Sequence, residues 1–80
     1  MKCVEMPLAM ADSGEELTIT GIRGGRGLNQ RLADMGLTIG TTIKIINKHG
    51  VGPMLIDFRG CRLVLGFSAA QRVMVERKLA

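Results

Sequence analysis

Ile22-Arg-Gly-Gly-Arg-Gly-Leu-Asn-Gln-Arg-Leu-Ala-Asp-Met-Gly-Leu37 decides how the rest of this 80-residue chain is read. A basic, glycine-rich turn runs into a short amphipathic helix, because Leu28, Leu32 and Met35 fall at i, i+4 and i+7 and share one helical face. Gly36, directly after them, is expected to end the helix, since glycine takes the left-handed conformation without a Cβ penalty. Such a segment cannot close a catalytic cycle alone. It can present backbone amides, arginines and an apolar ridge, which points to a binding or adaptor module.

On both sides of this helix the pattern is β. Upstream, Glu16–Ile22 alternates Leu17 and Ile19 inward with Thr18 and Thr20 outward, a half-buried strand rich in β-branched residues. Before it come a loose leader over residues 1–7, the apolar run Leu8–Ala11 and the turn Asp12-Ser-Gly-Glu15. Downstream, Leu37-Thr-Ile-Gly40 turns into a strand over Thr41–Lys48 with Ile43 and Ile45 buried, and His49–Pro53 is a loop by its Gly and Pro content. Met54–Arg59 and Cys61–Leu65 form a hairpin about Gly60, with Met54, Ile56 and Phe58 on one side and Cys61, Leu63 and Leu65 sharing a face. Ser68-Ala-Ala-Gln71 has the S-x-x-Q capping-box spacing and predicts one helical or 3₁₀ turn before a last strand over Val73–Arg77.

The expected fold class is therefore mainly β, with about five strands, one short α-helix and one helical turn. All 80 residues fit one domain. A strongly bent sheet closed into a small barrel would remove the exposed edges that so short a chain has little means of covering.

Composition sets the limits. A chain of this size buries only roughly 60–65 % of its unfolded surface. With 46 % hydrophobic and 22 % charged residues it is not a disordered sequence. Two Phe and no Tyr or Trp leave the core to aliphatic residues and six Met. The net charge of +4 permits attraction to nucleic acid, anionic lipid or an acidic protein face, but there is no lysine run, and solubility explains so small an excess as well. Two cysteines, Cys3 and Cys61, suit a reducing, cytoplasmic setting better than a secreted disulfide scaffold. Glu5 and Pro7 break up any secretory leader, and no apolar run approaches the roughly 20 residues of a membrane span, so membrane association is expected only through a partner.

The order of motifs resembles the FeoA family. Pro7-Leu8, Ser13-Gly14-Glu15, Ile22-Arg-Gly-Gly25, Arg31-Leu-Ala-Asp-Met-Gly-Leu37 with Gly40, Gly52-Pro53, Asp57-Phe-Arg-Gly60 and Arg62-Leu-Val-Leu65 follow one another as they do there, across residues 7 to 77. The resemblance implies an SH3-like barrel and a cytoplasmic accessory role in ferrous-iron uptake beside a FeoB-type permease. A related barrel closes the metal-dependent repressors of the DtxR type, but this chain has no room for their helix-turn-helix domain. Where relatives carry more basic residues before the Leu-Ala-Asp-Met-Gly segment, Leu28-Asn-Gln30 stands here.

Candidate partner-binding residues are Arg23, Gly24, Gly25, Arg26, Leu28 and Arg31. Consecutive amides near a helix N-terminus form a positive concavity, yet the same glycines would serve equally to turn a strand sharply into a helix. Leu32 and Met35 are expected to plug one end of the barrel, whereas Leu28 either plugs or protrudes as a docking anchor. No metal site is expected: transition metals need several converging donors, and one His, two distant Cys and no C-x-x-C leave only weak pairs such as Cys3–His49 or Asp57–His49. Cys61, alternating with Leu63 and Leu65, reads as a buried thiol, and the scattered Met as core filling. Nucleic-acid binding lacks its stacking aromatics, with only Phe58 and Phe67 present. No nucleophile–base set suggests an enzyme. The expected protein is thus a cofactor-free, non-catalytic adaptor that docks on the permease. A metal sensor or carrier and a nucleic-acid binder are its rivals, and a homodimer through a barrel edge or the Leu28 ridge is open.

Overall fold

In the computed structural model, which describes residues 3–24 and 26–78, six strands form one antiparallel sheet. They are β1 (Cys3–Pro7), β2 (Glu16–Ile22), β3 (Thr42–Lys48), β4 (Met54–Phe58), β5 (Cys61–Leu65) and β6 (Val73–Lys78), in the spatial order β1-β6-β2-β3-β4-β5. A 3₁₀ turn spans Leu8–Met10, α1 spans Arg26–Asp34, and α2 spans Phe67–Arg72.

Alternation did place the central strands. Leu17 and Ile19 of β2, Ile43 and Ile45 of β3, and Met54, Ile56 and Phe58 of β4 are all buried, and each strand turns its intervening residues outward, as a period of two requires. Val73 and Val75 of β6 complete this apolar face, and Leu8, Leu32, Leu37 and Ala70 cover it from the connecting segments.

Two expectations are corrected here. Residues 3–7, read as part of a loose leader, are the sixth strand: β1 pairs with β6 from Cys3↔Lys78 to Pro7↔Met74. Pro7 fits because an edge strand leaves one side of the ladder unpaired. Secondly, no ladder joins the outer strands β1 and β5, so the sheet is bent but not closed into a barrel. Irregularities at Ile19/Gly21 of β2 and Ile45/Asn47 of β3 bend the strands. Where a closing strand pair would lie, the 3₁₀ turn packs against α2, with Leu8 and Ala70 both fully buried.

Candidate functional site

The turn between β2 and α1 is fastened to the end of α2. The backbone N–H of Arg23 donates to the carbonyl of Arg72 at 2.6 Å. Gly24 takes φ +114°, a conformation L side chains rarely adopt, and the side chain of Arg72 lies against it. Arg23, Arg26, Arg31 and Arg72 are all exposed. The ion pair found among the described residues, Arg77 with Glu15, lies at the Asp12–Glu15 turn and neutralises none of them. Gly25, the remaining glycine of the expected site, lies outside the described residues.

The sequence makes α1 a weak helix. It is nine residues long, contains Gly27, and has Arg26 and no acid in its first turn; in its last turn Arg31 suits the helix dipole and Asp34 opposes it. Asp34 instead accepts a hydrogen bond from the Gln30 amide at 2.9 Å. The C-terminus is well made. Gly36 has φ +93°, Leu37 N–H donates to Leu32 C=O at 2.8 Å, and Gly36 N–H donates to Ala33 C=O at 3.0 Å. This is a Schellman motif, and its usual apolar contact is supplied by Leu32 and Leu37, each 1 % exposed.

That motif explains where the expected ridge goes. Leu32 is buried, and Leu28 is half-buried against the core rather than protruding. Met35, expected to plug the sheet, is 40 % exposed, because the chain turns at Gly36 and Leu37 fills the core position. The face left outside is a groove of about 400 Å³ between Ile22, Asn29, Ala33, Leu37, Thr38 and Ile39. Ile39 is 70 % exposed on its rim. The loop carrying it is held in place: Gly40 N–H donates to Ile19 C=O at 2.8 Å, Ile19 N–H donates to Thr41 C=O at 2.9 Å, and buried Thr41 meets Thr38 and Gly36 through its hydroxyl. Sequence reasoning passed over Ile39 because it sits in a segment read only as a turn. Its one signal was a large aliphatic residue inside the short connection over residues 36–40, where no regular element is expected to bury it.

Other candidates stay apart. His49 is exposed in the β3–β4 loop, beside Met54, whereas Asp57 lies three residues further along β4, about 10 Å at strand rise. Cys3 is on β1, with β6 and β2 between it and β3. No group of three His, Cys, Asp or Glu converges among the described residues. Cys61, expected to be a buried thiol, is exposed, since it opens an edge strand whose first residues nothing covers. No helix of the described residues is long and apolar enough to cross a membrane.

Comparison with known proteins gives a consistent result. The FeoA domain model matches residues 6–77. A Methanocaldococcus jannaschii protein named Fe(2+) transport protein A is 40 % identical over 70 residues, covering 88 % of this chain and 84 % of that one. The crystal structure of an iron uptake regulatory protein (FeoA) superposes with a TM-score of 0.86 at 39 % identity, over 95 % of this chain and all of that one. A manganese-dependent transcriptional repressor shares the fold alone, with a TM-score of 0.87 at 16 % identity over 98 % of this chain and 44 % of its own.

Proposed function

The chain belongs to the FeoA family of ferrous-iron transport accessory proteins, and we propose that it works without catalysis, by docking in the cytoplasm on a FeoB-type permease and stabilising or regulating it. The observation that carries this reading is the surface at α1. Exposed Arg23 and Arg26 stand on the side of α1 that carries the groove of Ile22, Ala33, Leu37 and Ile39, so uncompensated positive charge borders an apolar trough, while Arg31 lies on the other flank of the helix. Charge steers a partner's approach, and a desolvated aliphatic contact then holds it. A weakly propensive helix anchored through Leu32 and Leu37 suits an element whose outer face is reserved for another protein.

Capture of the detergent-solubilised permease from the same cell, at low and high salt, tests this. Wild-type protein is expected to retain it, and the variants Arg23→Glu/Arg26→Glu and Ile39→Asp to lose it while keeping the wild-type melting temperature. Leu28→Asp is a poor probe, because Leu28 packs on the core and its loss would unfold α1. Capture unchanged in both surface variants overturns the docking site. Stoichiometric uptake of Fe²⁺ or Zn²⁺ with a raised melting temperature would replace the adaptor by a metal carrier. Steep salt-dependent affinity for RNA or DNA would replace it by a nucleic-acid binder.

A further inference from the structure

The far edge of the sheet carries a second, separate pattern. Glu16 of β2 stands directly opposite Lys44 of β3, Lys44 opposite Asp57 of β4, and Asp57 opposite Arg62 of β5. All four project from the face away from the core, where Glu16, Lys44 and Arg62 are exposed and Asp57 is half-buried. Their signs alternate strictly across four strands, from minus to plus, and the row stops at Arg62 because β5 is the last strand. The neighbouring row runs Asn47–Leu55–Val64 and ends on Val64, which is 63 % exposed. A cleft of about 210 Å³ between Asn47, His49, Pro53, Met54, Leu55 and Val64 adjoins it.

The backbone of β5 is aligned with these two side chains. Arg59 and Gly60 both have positive φ, 53° and 78°, which makes the β4–β5 connection a two-residue type I′ turn. Such a turn closes on a hydrogen-bonded pair, here Phe58 and Cys61, and hydrogen-bonded pairs then recur at every second residue. Cys61, Leu63 and Leu65 therefore bond to β4, and the N–H and C=O groups of Arg62 and Val64 point outward. Among the described residues no backbone hydrogen bond from a loop or turn reaches them.

We infer that the β5 edge receives a seventh strand from a protein partner, an extended segment running antiparallel to β5 with an apolar residue two positions before an acidic one. The acidic side chain stands opposite Arg62 and continues the alternation, the apolar one lies on Val64 beside the cleft, and the main chain bonds to Arg62 and Val64. A second copy of this chain does not supply that segment. Two β5 strands meeting edge to edge set Arg62 against Arg62, Val64 or Gly66, never against an acid. The other free edge, β1, offers a thiol, Cys3, rather than an aliphatic side chain two positions before Glu5. This surface is distinct from the one at α1 and does not depend on the identity of the permease.

The test uses the full chain and the blocked peptide Thr-Thr-Val-Thr-Glu-Thr-Thr-Gly at up to millimolar concentration, with a twin carrying Lys in place of Glu. Amide hydrogen exchange at Arg62 and Val64 is expected to slow roughly tenfold or more with the Glu peptide, as newly bonded amides do. The Lys peptide should bind roughly two- to fivefold more weakly, the range of a directly opposed cross-strand pair. Arg62→Glu, a change at an exposed position, should invert that preference. Absence of any protection at Arg62 and Val64, or no inversion in the variant, overturns the proposal. Protection that grows with protein concentration in the absence of peptide also overturns it, and assigns the edge to a second copy.

Discussion

The N–H of Arg23 and the carbonyl of Arg72 are 2.6 Å apart, so a turn in the first third of the chain is bonded to a helix end near its close. The same two elements meet again at Gly24, where a Cβ would lie 3.0 Å from Arg72 Cδ and 3.1 Å from its Nη1. An arginine side chain can move from such a contact, but the backbone at φ +114° cannot relax as easily. Gly24→Ala is therefore expected to destabilise by about 1–3 kcal/mol. Urea denaturation should show that adding Arg72→Ala recovers little of the loss. A full recovery would mean that crowding, rather than backbone conformation, selects glycine here.

Acid should act through Glu15. Its carboxylate accepts the Asp12 backbone N–H at 2.6 Å, and this bond is the main reason its pKa lies below the ordinary 4.5. Partial burial opposes the shift, while Arg77 and Lys48 reinforce it. A carboxyl whose folded pKa is depressed contributes stability that is present above the unfolded value and is lost as pH falls through the folded one. Stability should thus decline below about pH 4.5 in the wild type. Glu15→Gln should be less stable at neutral pH and flatter across that interval. Equal slopes in the two proteins would remove Glu15 from the acid response.

The central sheet could be read from the sequence because inward residues alternate within each of β2, β3 and β4, from Leu17 to Ile19, Ile43 to Ile45 and Met54 to Phe58, and a one-residue slip would expose them. What failed was context at the ends. Cys3–Pro7 is short and ends in proline, which does not announce a strand, and it becomes one because β6 supplies a register for it. Cys61 follows the alternation correctly, yet alternation gives only a face, and at an edge the face can stay uncovered. At α1 the helical period was right and the end of the helix was right, but the turn at Gly36 exchanges Met35 for Leu37 in the core. The arginines of the expected docking site were legible as charge. The groove beside them was not, because it is assembled from β2, α1 and the Thr38–Ile39 loop.

Capping of α2 is another point at which spacing misled. Ser68 lies inside the helix, and the N-cap is Gly66, which has extended dihedrals and no side chain to bond the free amides. Ser68→Ala should change stability by less than about 0.5 kcal/mol. Gly66→Ser, by contrast, meets nothing within 4 Å of its Cβ and supplies the missing acceptor. Cap formation and reduced freedom of the unfolded chain together should stabilise by about 0.5–1 kcal/mol. Thermal melts of the two variants decide the matter; a loss from Ser68→Ala as large as a cap deletion would restore the capping-box assignment.

The two ends of the α1 ridge should respond in opposite ways. Leu32 is 1 % exposed, and its contact with Leu37 fastens the Schellman turn, so Leu32→Ala leaves a cavity and unties the helix end together. A cost of about 2–4 kcal/mol is expected, a large share of the stability of so small a domain. Because α1 is short, contains Gly27 and starts on Arg26 with no acid in its first turn, it should melt first, visible as a drop in helical circular dichroism below the main transition. Met35→Ala removes a side chain that is 40 % exposed and should cost less than about 0.5 kcal/mol. If Met35→Ala proves as damaging as Leu32→Ala, then Met35 rather than Leu37 closes the core in solution, and the groove beside Ile39 does not exist in the form described.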